Sequence, residues 1–189
     1  MNKWKIAFFV LAGAVVFAVF GLLYLIFSPV EEVVKPSARE ASGSIVALET
    51  TVEEFEAIAR QYVGPSLKGS PVPVDFAMGE EIQLFSTFSI FTVEVPITMN
   101  FEPIVESNGN ITLQQTAMNV GNLNIPPSTV LKLLNDSVDF PDFITVNANE
   151  AQIYVDLSRL NIANGSRVRA KEIDMKNDKI VLEMIVQNE

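Results

Sequence analysis

The chain has 189 residues, with 23 acidic against 13 basic side chains, and it contains neither histidine nor cysteine. Those absences remove imidazole and thiolate metal ligands, a cysteine nucleophile, every Ser-His-Asp arrangement and all disulfides, so most hydrolase mechanisms are closed and any folded body rests on its core alone. All the acidic residues but only 11 of the basic ones lie beyond residue 27, which leaves that part at 11 − 23 = −12 and repels nucleic acid.

Lys3 and Lys5 precede Ile6 to Phe27, a run of 22 residues without a charge, and Glu31 and Glu32 follow it. A helix of that length spans about 33 Å, which matches a hydrocarbon core of about 30 Å. A cleaved signal peptide has an apolar region of about 7 to 15 residues ending in small residues. Here the run ends Leu25-Ile26-Phe27-Ser28-Pro29, and the absence of cysteine excludes a lipoprotein anchor. The expectation is an uncleaved single-pass transmembrane helix over 6–27 in the cell membrane. The basic flank puts residues 1–5 in the cytoplasm and everything from Ser28 outside it. Residues 28–44, rich in Pro, Ser and Glu, read as a linker that reaches about 55 Å when fully extended.

Residues 45–189 are expected to form one extracytoplasmic α+β domain, a curved antiparallel β-meander packed on two helices. Ile45-Val46-Ala47-Leu48 suits a strand. Thr51-Val52-Glu53-Glu54 reads as a capping box, and Phe55, Ile58, Ala59, Tyr62 and Val63 then give a helix one apolar face until Gly64-Pro65 stops it. Val93, Val95, Ile97, Met99 and Phe101 alternate with polar residues as in a strand with one wet face. Asn108-Gly109 predicts a type I′ hairpin leading into a strand from Ile111. Pro126-Pro127-Ser128-Thr129 opens a second helix capped by Ser128, with Val130, Leu131, Leu133 and Leu134 on its apolar side, and Asp139-Phe140-Pro141 closes it. Strands follow at 143–146, 152–157, 167–175 and 179–186, separated by turns.

No motif carries catalysis. Glu53-Glu54, Glu80-Glu81 and Asp139 with Asp142 read as solvated surface acids. Gly64-Pro65-Ser66-Leu67-Lys68-Gly69 lacks the spacing of a nucleophile elbow or a phosphate loop. Asp174-x-Lys176-x-Asp178 has lysines where a calcium loop needs a ligand and a glycine. Asn110-Ile111-Thr112 and Asn164-Gly165-Ser166 match a glycosylation pattern that arises often by chance. Catalytic residues, metal and cofactor are therefore all expected to be absent.

Residues 82–91 depart from simple alternation. Ile82, Leu84, Phe88 and Ile90 lie on one parity while Phe85 and Phe91 lie on the other, so both sides are apolar. A strand buried on both faces, or a bulge that swaps them, is one account. The other is an apolar groove lined by Ile82, Leu84, Phe85, Phe88, Ile90 and Phe91 that shelters an acyl chain. Arg167, Arg169 and Lys171 share one strand face and are candidate contacts for phosphate headgroups.

Phe101-Glu102-Pro103, Asn108-Gly109-Asn110, Val120-Gly121-Asn122-Leu123-Asn124-Ile125-Pro126-Pro127, Val130-Leu131 and Phe140-Pro141 together resemble the YpmS family of Gram-positive bacteria. Thr50-Thr51 and the Trp4-Lys5 start before a single span fit the same pattern. The resemblance implies a single-pass envelope protein and carries no active-site signature. The order of elements is similar to that of tubular (TULIP-like) lipid-binding domains, which wrap a sheet around a helix. The resulting expectation is a non-enzymatic protein that binds or presents a lipid or other amphiphile; the alternative is an accessory subunit that docks an envelope protein partner.

Overall fold

The first strand, β1 (Ser44–Thr50), runs straight into helix α1 (Val52–Lys68) through a reciprocal cap. The Glu54 amide donates to Thr51 Oγ1 at 3.2 Å, while Glu54 Oε2 accepts from the Thr51 amide at 3.4 Å and from Thr50 Oγ1 at 2.8 Å. A third acceptor comes from far along the chain, since the Val52 amide donates to Asp178 Oδ1 at 2.8 Å. Three of the orphan donors of this helix end are thereby satisfied.

The computed structural model describes residues 44–90, 93–121, 123, 125–160 and 166–186. These fall within one compact unit bounded by Glu32 and Glu189. The expected transmembrane span 6–27 and the linker up to residue 43 lie outside the described residues. Among the described residues no helix is long and apolar enough to cross a membrane.

Helix α1 does not stop at Gly64-Pro65 but continues to Lys68 with Pro65 inside it. Proline disfavours the helical conformation in the preceding residue through clashes with its backbone N–H and its Cβ, and Gly64 has no Cβ. Burial of Leu67, 7% exposed, holds the added turn.

After α1 come β2 (Val74–Met78), β3 (Ile82–Ile90), β4 (Val93–Val105), β5 (Ile111–Asn119), helix α2 (Pro127–Ser137), β6 (Ile144–Asn147), β7 (Gln152–Val155), a 3-10 turn (Leu157–Arg159), β8 (Arg167–Asp174) and β9 (Lys179–Val186). This is an α+β fold with a curled antiparallel sheet and two helices. The strands pair in two ladders, β2-β3-β4-β5-β7-β6 and β1-β9-β8. A meander therefore describes β2 to β5; beyond them β7 inserts between β5 and β6, and β1 joins the C-terminal strand. The ladders meet where the Ala170 amide donates to the Gly109 carbonyl at 2.7 Å.

That meeting point explains the turn at Asn108-Gly109. Gly109 has φ of 81° while Asn108 is not among the residues with positive φ, and the Gly109 amide bonds the Glu106 carbonyl at 2.8 Å. The loop is a type I turn ending in a left-handed glycine, not the type I′ turn expected. A Cβ on Gly109 would lie 2.4 Å from Arg169 Cβ, so both the backbone angle and the approach of β8 require glycine.

Helix α2 also differs at its start. Pro126 occupies the cap without a side-chain hydrogen bond and Pro127 is the first helical residue, so a proline, whose missing N–H is harmless there, replaces the expected Ser128 cap. Val130, Leu131 and Leu134 are buried as its apolar spacing predicts, whereas Leu133 is 44% exposed. A contiguous core of Val52, Ile111, Leu157, Val168, Ala170, Ile180 and Leu182 unites the start of α1 with both ladders.

Candidate functional site

Five residues of α1, Phe55, Ile58, Ala59, Tyr62 and Val63, fall on one helical face, yet α1 buries only Val52 near its start and Leu67 near its end. The middle of that face is half-buried, and Ile58 is 39% exposed. The reason is a cavity of about 160 Å³ beneath it. Its opposite wall is the inward parity of the sheet: Phe76 on β2, Ile82 and Leu84 on β3, Phe101 and Pro103 on β4, Ile111 and Leu113 on β5, and Ile153 and Val155 on β7. Phe140, Phe143, Leu157, Leu160, Ile173 and Met175 close the remaining sides. Tyr62 is the one lining residue whose side chain carries an oxygen or nitrogen among the described residues. The cavity lining offers almost none of the two to four polar partners that hold an ordered water.

Polar side chains hold α1 over this space. β2 is the edge of its ladder, and its outward backbone groups would otherwise be unpaired. Glu56 Oε2 accepts from the Met78 amide at 2.7 Å, and the Arg60 guanidinium donates to the Phe76 carbonyl, to Asp75 Oδ1 at 2.6 Å and to Glu56 Oε1 at 2.7 Å. The guanidinium also stands 4.7 Å from the centre of the Phe76 ring. Its hydrogen bond holds the Asp75 carboxyl below the usual carboxylate range, and Asp75 in turn raises the Arg60 value. One helix turn of α1 thus acts as a side-chain substitute for the missing neighbour of β2.

The six residues singled out between 82 and 91 are not brought to one place. Ile82 and Leu84 line the cavity. Phe88 shares their buried parity, 7% exposed, but stands apart from the described cavity lining. Phe85 is 38% exposed on the opposite face, so β3 alternates cleanly between buried and wetter positions and is not buried on both faces. The side chain of Ile90 and the whole of Phe91 lie outside the described residues.

Two of the three basic residues, Arg169 and Lys171, are tied down by one acid. Arg169 bonds Glu183 Oε2 through Nε and a terminal nitrogen, each at 2.6 Å, and Lys171 lies 3.5 Å from Glu183 Oε1. The Arg169 hydrogen bond keeps the Glu183 carboxyl below its ordinary value. A register shift between Ala170 and Glu172 also breaks the strict alternation that placed Lys171 on the face of Arg167 and Arg169.

The carboxylates have structural partners or face water. Glu81 accepts from Asn100 Nδ2 and Thr116 Oγ1, each at 2.8 Å, which lowers its pKa. Glu53, Glu80, Asp139 and Asp142 are exposed. Asn110, in one of the two glycosylation patterns, is 2% exposed and donates to the Tyr154 hydroxyl at 2.6 Å. Among the described residues no group of three or more His, Cys, Asp or Glu could hold a metal ion.

The class of protein is accordingly an α+β body with a helix suspended over an apolar cavity. The chain belongs to the family described as uncharacterized protein conserved in bacteria (DUF2140), which matches residues 2–186. It is 28% identical over 181 residues to the uncharacterized protein YpmS of Bacillus subtilis (strain 168), and the similarity covers 95% of each chain. No solved structure matches.

Proposed function

We propose that this is a non-enzymatic, membrane-anchored protein of the cell envelope whose outer unit binds or presents a lipid or other amphiphile, with one apolar chain inserted between α1 and the sheet. The observation that carries the reading is the apolar cavity of about 160 Å³ under the apolar face of α1. The space is open along α1, where Ile58 is exposed, so its apolar walls are accessible to an occupant. An apolar chain entering it gains about 0.8 kcal/mol for each methylene withdrawn from water. The volume is close to that of an engineered cavity of about 150 Å³ that takes benzene, so it suits part of a single chain and not a pair of acyl chains. The apolar run 6–27 supplies the anchor in this reading, and the acidic, imidazole-free and thiol-free composition supports a binding role over bond-breaking.

The test is uptake of a fluorescent single-chain acyl probe by a fragment spanning 32–189, beside an Ala59→Phe variant that fills the space under α1. Saturable uptake by the parent fragment, reduced at least tenfold in the variant, is expected. A parent fragment that takes up no probe contradicts the reading.

A second reading, an accessory subunit docking another envelope protein, rests on β1. This strand is the edge of its ladder, and Ile45, Val46 and Leu48 are 55%, 54% and 49% exposed on both of its faces. Such an edge is suited to adding a strand from a partner. Cross-linking from residue 46 to one defined protein in intact cells, without dependence on the cavity, favours it.

A further inference from the structure

The cavity has a polar neighbour. Along the outer side of α1 runs an open groove lined by Glu53, Glu56, Arg60, Glu80 and Asp178, together with Met78 and Met175. Both methionines also line the apolar cavity, so their side chains form the partition between a greasy interior and an acidic exterior. Methionine suits a partition that must yield, since its unbranched side chain repacks readily.

Four carboxylates face one guanidinium in this groove, and the guanidinium is committed to Glu56, Asp75 and the Phe76 carbonyl. Asp178 is engaged by the Val52 amide and Glu56 by the Met78 amide. Glu53 and Glu80 make no ion pair among the described residues and face solvent. Of the basic residues considered for a phosphate, Arg169 and Lys171 share the single carboxylate of Glu183, and neither they nor Arg167 line this groove. Resting on the amphiphile-binding reading, we propose that the occupant carries a cationic head in this groove and passes a single apolar chain between Met78 and Met175 into the cavity. An anionic head meets a surplus of negative charge in this groove, which shares Met78 and Met175 with the cavity. Charge complementarity therefore selects the head, while the apolar walls select the chain.

The experiment uses the full-length chain reconstituted in phosphatidylcholine vesicles. Three photoactivatable probes share one alkyl chain and differ in the head, which is trimethylammonium, hydroxyl or carboxylate. Cross-links are mapped to peptides containing Phe55, Tyr62, Phe101 and Leu157. The trimethylammonium probe is expected to label these peptides at least about fivefold more than the carboxylate probe at low ionic strength, a preference that salt weakens. The Glu53→Gln/Glu80→Gln variant should lose that preference, while Glu94→Gln/Glu102→Gln, which changes the net charge equally at other exposed positions, should keep it. Equal labelling by all three probes, preference for the carboxylate, or equal loss in both variants overturns the cationic-head inference while leaving the cavity reading intact. Absence of labelling at these peptides by every probe overturns the cavity reading itself.

Discussion

Gly109 combines two demands at a single residue, a φ of 81° and a neighbouring Arg169 Cβ that would stand 2.4 Å from an added methyl carbon. Gly109→Ala should therefore destabilise the protein by about 2 to 4 kcal/mol in chemical denaturation, above the 1 to 2 kcal/mol of a left-handed backbone alone, because β8 must also shift. A loss below about 1 kcal/mol would show that the ladders do not meet there. The Asn108-Gly109 signal was legible in the sequence as a turn, but the turn type was not, since the reason for it lies on a strand sixty residues later. Titration is equally local. With no histidine or cysteine, only the α-amino group ionises between about pH 6 and 9, so thermal stability should be nearly flat across that range. Glu183 and Glu81 are held below the ordinary 4.5 and Asp75 below 3.8 by their hydrogen-bond partners Arg169, Asn100 and Thr116, and Arg60. The unfolded chain binds those protons first, so their stabilisation is complete above about pH 4.5 and is lost as pH falls through the lower folded values. Lys179, raised above 10.5 by Glu172, stabilises below that value and ceases to do so as pH rises through its folded pKa. A thermal scan with a sharp step near pH 7 would contradict this account.

Among the elements, α1 shows best what a sequence reading reaches. Its start was legible because a capping box is a local pattern, and Thr51 and Glu54 satisfy each other as that pattern requires. Its end was not, because Gly64 relieves the constraint that Pro65 would impose on a larger neighbour, and the anchor for the last turn, Leu67, acts through tertiary burial. The third acceptor at the N-terminus was invisible, since Asp178 arrives from the β8–β9 turn with φ of 53°. Asp178→Gly keeps that backbone angle but removes the acceptor, and should cost about 1 kcal/mol, while Asp178→Asn should stay within about 0.5 kcal/mol of the parent. Urea denaturation of both variants decides it; equal losses would mean that the bond to the Val52 amide contributes nothing. The apolar face of α1 was also legible, as Phe55, Ile58, Ala59, Tyr62 and Val63. Periodicity reports which face turns inward, however, and says nothing of whether the space beneath it is filled.

The same limit governs the whole molecule. Hydrophobic patterning located the inward parities of β3 and β4, so Ile82, Leu84 and Phe101 were readable as interior residues. The cavity they help to form depends on volumes summed over elements far apart in the chain. Emphasis on residues 82–91 captured two of its lining residues, Ile82 and Leu84, and missed the contributions of β2, β5, β7 and the segment around Phe140, which look like ordinary core one strand at a time. The acid that Arg169 and Lys171 share was hidden for a similar reason, since Glu183 on β9 is placed opposite Arg169 only by strand register. What unifies the molecule is a helix pinned at both ends by burial and along one flank by Glu56 and Arg60, with its apolar middle left over an apolar space. The most direct measurement is therefore a mass analysis of what the freshly purified 32–189 fragment carries, made beside Ala59→Phe. The account predicts about one equivalent of a single-chain amphiphile in the parent and none in the variant, which should also gain about 1 kcal/mol of stability from the filled space. A parent fragment that is free of any such molecule, and no less stable than the variant, would contradict it.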